Sequence, residues 1–159
     1  MQVKNYIEKV ENSKAYSDWV KSNEDYYLVH VFRMSGQAPQ VGYYSAEKDK
    51  VVTFILGEEI NMNPPEDSFK ESKAIAKLER EKISVDIDEA LKEANNLKEK
   101  EYPGEIVDKD MVILQTLEEE PVYNITLITK SFNFINIKIN ANDKKIIHYQ
   151  KNSILDLKE

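Results

Sequence analysis

Hydrophobic positions recur along this chain with two different periods, and each change of period marks a new element. In the second half, Ile87, Ala90, Leu91, Ala94 and Leu97 fall at helical spacing, with Lys and Glu filling the other face. Asp86 stands three residues before Glu89, the spacing of a capping box, and Pro103-Gly104 ends the run, so a helix is predicted over about 86–100. Period-two alternation follows. Tyr123, Ile125 and Leu127 alternate with Asn124, Thr126 and Ile128, and Ile135, Ile137 and Ile139 alternate with Asn136, Lys138 and Asn140. Such alternation belongs to strands with one face buried and one wet. A polar turn at 141–144 leads to a closing strand at 145–149, and an opening strand at 106–117 loses its alternation around Asp108-Lys109-Asp110. Links this short between strands predict an antiparallel meander, with the helix on its apolar face.

The first half follows the same plan less clearly. Val3, Ile7 and Val10, then Tyr16, Trp19 and Val20, predict one or two amphipathic helices reaching about Ser22. Strands are predicted at 26–34, 41–45 and 50–56, joined by a loop at 36–39 and a turn at 46–49. The halves overlay: residues 45–52 run parallel to 140–147 at a spacing of 95, and Tyr27, Val29 and Val31 match Tyr123, Ile125 and Leu127 at 96. Between them, Asn61-Met62-Asn63-Pro64-Pro65-Glu66-Asp67 reads as a linker, because Pro-Pro resists both helix and central strand. A bridging helix is predicted at 68–82, with Phe69, Ile75 and Leu78 on one side. The expected organisation is therefore an α+β fold: an N-terminal helix plus three-stranded unit (1–60), a linker and bridging helix (61–82), and a second helix-plus-sheet unit (83–159).

The segment 83–157 resembles a PepSY domain. The residues that carry the resemblance are Asp88-Glu89-Ala90 through Ala94, the Pro103-Gly104 exit, Val122-Tyr123-Asn124-Ile125, and the hairpin Ile139-Asn140-Ala141-Asn142-Asp143-Lys144-Lys145-Ile146. The hairpin departs from the family pattern in having Asn140 where Asp is usual and Lys144 where Gly is usual. The first half joins the resemblance only through the internal overlay. What it implies is a helix on a cystatin-like curved antiparallel sheet, present as two tandem units. It further implies the roles of that family: peptidase propeptides, peptidase inhibition, and noncatalytic domains at the cell envelope. Fold alone does not fix such a role.

Composition narrows the chemistry. The 159 residues include nine tyrosines, five phenylalanines and Trp19, too many aromatics for a disordered chain. With 22 Lys and Arg against 29 Asp and Glu the formal charge is −7, and there is no dense basic run, so no nucleic-acid partner is expected. No apolar run reaches membrane-span length, so no membrane insertion of the chain is expected. The absence of cysteine excludes disulfides, thiol catalysis and thiolate metal sites. The two histidines, His30 and His148, fall inside predicted strands, and no H-E-x-x-H, G-x-S-x-G or phosphate-loop motif accompanies them. The acids Asp86, Asp88 and Glu89, and Asp108 with Asp110, lack an EF-hand's twelve-residue framework; capping accounts for the first group and a turn or bulge for the second. No catalytic residue, metal ligand or cofactor is assigned.

The remaining candidates for binding are the pairs Tyr26-Tyr27 and Tyr43-Tyr44. Neighbouring strand residues point to opposite faces, so each pair sends one ring inward and one outward, and outward rings on adjacent strands make a platform for a protein or peptide. An exposed sheet edge offers a second route, to a peptide strand or to a homodimer. The expected function is a noncatalytic binding or regulatory module engaging a protein or peptide, to which the resemblance adds a link to peptidases. The alternatives are an enzyme with a dispersed carboxylate or histidine site, and a structural self-associating domain. Its place is the cytoplasm if Met1 is the true start, and outside the cytoplasm if a signal or anchor was removed.

Overall fold

The computed structural model describes residues 2–68 and 74–154. Its helices are α1 (Val3–Glu11), α2 (Lys14–Val20) and α3 (Ile87–Glu101), with a 3-10 turn at Arg80–Lys82. Its strands are β1 (Tyr26–Met34), β2 (Gln40–Ser45), β3 (Lys50–Leu56), β4 (Ile60–Met62), β5 (Glu66–Asp67), β6 (Val107–Leu117), β7 (Glu120–Thr129), β8 (Asn133–Asn140) and β9 (Ile146–Ser153). All nine join one antiparallel sheet in the order β4-β3-β2-β1-β6-β7-β8-β9, with β5 also on β3. The fold is α+β, as the alternation predicts.

Each helix forms for a visible reason. In α1, Val3, Tyr6, Ile7 and Val10 are buried at helical spacing. Ser13 starts α2, its hydroxyl accepting the Tyr16 N–H at 3.2 Å. Asp86 and Glu89 form the capping box of α3, and Asp86 Oδ1 also accepts the Val3 N–H at 2.7 Å, which ties the start of α1 to the start of α3. Ala90 and Ala94 bring α3 close to β7 and β8, and Ile87 and Leu97 complete its buried stripe. The helices cover one face of the sheet, where Val31, Tyr43, Phe54, Val112, Leu114, Tyr123, Ile125, Ile135 and Ile137 join them in a single core.

Two expectations for the middle of the chain are corrected. Residues 61–67 are not a free linker. β4 and β5 both pair with β3, as Met62 opposite Phe54 and Glu66 opposite Val51, so 60–67 is one edge strand interrupted at Asn63-Pro64-Pro65. Proline is tolerated there because an edge strand has one side without a ladder partner. The bridging helix is not formed over 74–79, which carry no regular structure, and only Arg80–Lys82 make a turn; Phe69 lies outside the described residues. Tertiary demand overrides the helical spacing. A bulge between Leu28 and His30 interrupts the β1–β2 ladder, and on the other side of β1 the β6 ladder begins only at His30. The carbonyl of Leu28 is satisfied instead by the Leu78 N–H at 2.8 Å, and the Leu78 side chain fills the core at 1% exposure.

The broken alternation at Asp108 is also a bulge, between Val107 and Lys109 on the β7 side. The overlay of the two halves meets a more interesting outcome. The turns it matches are alike: Ser45 Oγ accepts the Lys48 N–H at 3.1 Å, Asn140 Oδ1 accepts the Asp143 N–H at 3.1 Å, and the next residues, Asp49 and Lys144, both have positive φ, 52° and 68°. The strands are not alike. β1 and β7 run in the same direction, yet β2 and β3 are laid down on one side and β8 and β9 on the other. With helices on the same face, the overlaid units would be of opposite hand. The matched turns therefore share local turn chemistry and not a common place in the fold.

Candidate functional site

The tyrosine pairs divide between the faces as strand geometry requires. Tyr26 and Tyr43 lie on the helix face, Tyr26 against Trp19 with ring centres 4.9 Å apart and Tyr43 against Tyr16 at 5.3 Å. Tyr27 and Tyr44 lie on the opposite face, paired across β1 and β2 with ring centres 5.8 Å apart. The Tyr44 ring is 2% exposed and its hydroxyl donates to Asp49 Oδ1 at 2.6 Å, which pushes its pKa up to about 12. The hydroxyl of Tyr27 donates to the Ile75 carbonyl at 2.5 Å. Both hydroxyls on the open face thus have partners within the chain.

Three of the four tyrosines also border one depression of about 250 Å³, where Tyr26, Tyr27 and Tyr43 meet Tyr16, Glu11 and Arg80. Arg80 grips Glu11 with both nitrogens, at 2.8 and 2.7 Å, and the Tyr43 hydroxyl donates to the same carboxylate at 2.9 Å. Burial alone would raise the Glu11 pKa, but the hydrogen bonds from Arg80 and Tyr43 outweigh it and hold the carboxyl below its ordinary range. Burial and the Glu11 charge together push the Tyr43 phenol far up. Sequence patterns single out neither Glu11 nor Arg80. They lie 69 residues apart, and only the packing of α1 beside the end of the 74–79 segment brings them together.

His30 and His148 are not brought together: β1 and β9 are separated in the sheet by β6, β7 and β8. His30 lies on the open face over Gly42, and burial lowers its pKa to about 4. His148 is exposed on β9. Asp108 sits in the β6 bulge and Asp110 in the regular ladder opposite Leu127, and no group of three potential metal ligands occurs among the described residues.

The second candidate surface is β9. It pairs with β8, and no strand pairs on its other side among the described residues. Helix α3 packs over β7 and β8 and stops short of it, and Ile146, Ile147 and Tyr149 of this strand are 40%, 53% and 39% exposed. The pairing phase is set at its end, where the Ile154 N–H donates to the Phe132 carbonyl at 3.0 Å. Antiparallel alternation then directs the backbone groups of Asn152 and Gln150 to β8, and those of Lys151 and Tyr149 outward. Beside the strand, Ile147 and His148 with Leu117, Val122 and Lys138 line a concavity of about 520 Å³ on the open face.

No protein-family model matches the chain, and no curated protein matches it in sequence. Among solved structures it is similar in fold to a protein of Clostridium difficile 630 described as a "putative lipoprotein", with a TM-score of 0.54 and 18% identity over 87% of this chain and 90% of that one. At that identity the likeness is one of architecture alone. Both chains are α+β proteins of the same general layout, and none of the described helices is long and apolar enough to cross a membrane.

Proposed function

We propose that this chain is a noncatalytic binding or regulatory module of two tandem PepSY-like units that takes up an extended peptide segment as a further strand on β9. The observation that carries the proposal is the outward side of that strand at Tyr149 and Lys151. The outward backbone groups of Tyr149 and Lys151 have no strand beside them among the described residues, and three large apolar side chains flank them in the open. Strand addition uses those parts: main-chain hydrogen bonds for affinity and alternate side chains for selection.

The tandem part of the proposal draws on the sheet order. A two-fold rotation normal to the sheet that exchanges β1 with β6 also exchanges β2 with β7, β3 with β8, and the interrupted β4–β5 edge with β9. In that register each unit is helix followed by four-strand meander, of one hand, joined through the antiparallel pairing of His30–Met34 with Gln115–Met111. An extracytoplasmic site of action is part of the same proposal. Its support is the fold shared with a protein described as a lipoprotein.

Amide exchange tests the binding mode directly. A panel of extended eight-residue peptides of varied charge is added to the intact chain, and exchange at Tyr149 and Lys151 is followed. Protection of those two amides by at least one peptide, lost when that peptide is N-methylated along one edge, is the expected result. If none protects them, or the methylated peptide binds equally well, strand addition at β9 is wrong. Protease accessibility of the full gene product on intact cells separately tests the extracytoplasmic placement.

A further inference from the structure

We infer that the segment captured on β9 is an acidic one, with carboxylates alternating with apolar residues, and not a second copy of this chain; the inference rests on the strand-addition proposal above. From Lys144 to Ile154 the sequence has three lysines and no carboxylate, although the chain as a whole carries −7. These cations sit on the outermost strand or its entry turn, where the Asp143 carboxylate is taken up by the Lys145 N–H at 2.9 Å, and the acids that reach the ammonium groups lie inward, on or just beyond α3. Lys144 reaches Glu89 and Glu93 only at 4.0 and 3.9 Å, and Lys151 reaches Glu105 at 3.8 Å. Such long pairs between partly exposed groups are weak, so an incoming carboxylate can compete for the same ammonium groups. Lys151 is further held over the Tyr102 ring at 5.4 Å, which keeps it alongside the strand.

The same lysines argue against self-pairing. Two β9 strands meeting antiparallel about His148 would bring Lys145 of each copy opposite Lys151 of the other, and a shift of one residue leaves them diagonal. Like charges across a strand pair are destabilising, and lysine on an edge strand is a common guard against that contact. An acidic strand turns the same guard into attraction. Alternation would put its carboxylates on the helix face with Lys151, and its apolar residues on the open face, where Ile147 lies.

Three fluorescein-labelled probes with a shared alternating valine frame, carrying Glu, Gln or Lys at the intervening positions, decide the matter by anisotropy at low salt. The Glu probe is expected to bind about tenfold more tightly than the Gln probe, and the Lys probe more weakly still. Raising salt should erase the difference. The doubly substituted Lys145→Glu/Lys151→Glu chain should reverse the order, and Lys145→Arg/Lys151→Arg should keep it, with amide exchange confirming that both variants remain folded. Equal binding of all three probes would overturn the charge inference while leaving strand addition in place. Binding of none would overturn both. A concentration-dependent dimer in sedimentation that protects the Tyr149 and Lys151 amides would assign the edge to a second copy instead.

Discussion

The imidazole of His30 lies directly on the backbone of Gly42, its partner across β1 and β2. A methyl built on Gly42 would fall 2.2 Å from Cε1 and 2.4 Å from Nε2 of the ring. These two residues border the bulge in the β1–β2 ladder, and His30 is held on its other side by its pairing with Gln115 of β6. Gly42→Ala should therefore destabilise the chain by about 1–3 kcal/mol, the cost of overpacking a close contact. His30→Ala in the same chain should recover most of that loss. Urea midpoints of the two single variants and the double variant measure it as a double-mutant cycle.

The same ring makes acid stability depend on His30. Burial lowers its pKa from the ordinary 6.5 to about 4, so in that interval the unfolded chain binds the proton and the folded one resists it. Stability then rises with pH from about 4 to 6.5, is complete above 6.5, and is lost as the solution is acidified through this window. His30→Gln should flatten the slope of the urea midpoint between these limits. Glu11, whose carboxyl is held below its ordinary value of 4.5, contributes stability that is lost only at lower pH, so the two effects separate.

Leu78 holds the connection between the halves in place. Its side chain is 1% exposed in the core while its N–H serves the Leu28 carbonyl, which lies beyond the end of the β1–β6 ladder. Leu78→Ala should cost about 2–5 kcal/mol, as truncation of a fully buried leucine does. The local consequence is more specific. The Tyr27 hydroxyl bond to the Ile75 carbonyl should loosen as well, giving faster exchange at Leu78 than at core amides of β7, which hydrogen-exchange measurements resolve residue by residue.

Leu78 also shows where sequence reasoning stops. Elements fixed by local pattern were legible: the Asp86–Glu89 start of α3, the Ile135–Ile137–Ile139 face of β8 and the full length of β1 are all visible as spacing. Ile75 and Leu78 are at helical spacing too, yet a backbone carbonyl left over on another strand draws that segment into an extended path. The Pro64-Pro65 pair spoke for a linker because its neighbour, the edge of β3, is not local in sequence. For the candidate sites, the division of each tyrosine pair between faces followed from strand geometry. The Glu11–Arg80–Tyr43 cluster did not, because it joins α1, the 3-10 turn and β2 and no spacing rule relates them. The free edge was foreseeable as a kind of surface, but only the sheet order shows that it is β9.

The two matched turns supply a final contrast, because the same left-handed position is occupied for different reasons. Lys144 has φ of 68°, a conformation that costs a side chain with a Cβ about 1 kcal/mol, and its ion pairs to Glu89 and Glu93 are long. Lys144→Gly should raise stability by up to about 0.5 kcal/mol, the strain relieved less the extra freedom of glycine when unfolded. Asp49, with φ of 52°, is under similar strain, but its Oδ1 accepts the Tyr44 hydroxyl at 2.6 Å beneath a ring that is 2% exposed. Asp49→Gly removes that acceptor from a buried phenol and should lower stability by about 1 kcal/mol despite the relaxed backbone. Thermal unfolding of the two glycine variants, with Asp49→Asn as the variant that keeps an acceptor, should give shifts of opposite sign at equivalent turn positions. Shifts of the same sign would mean that backbone strain alone governs both turns.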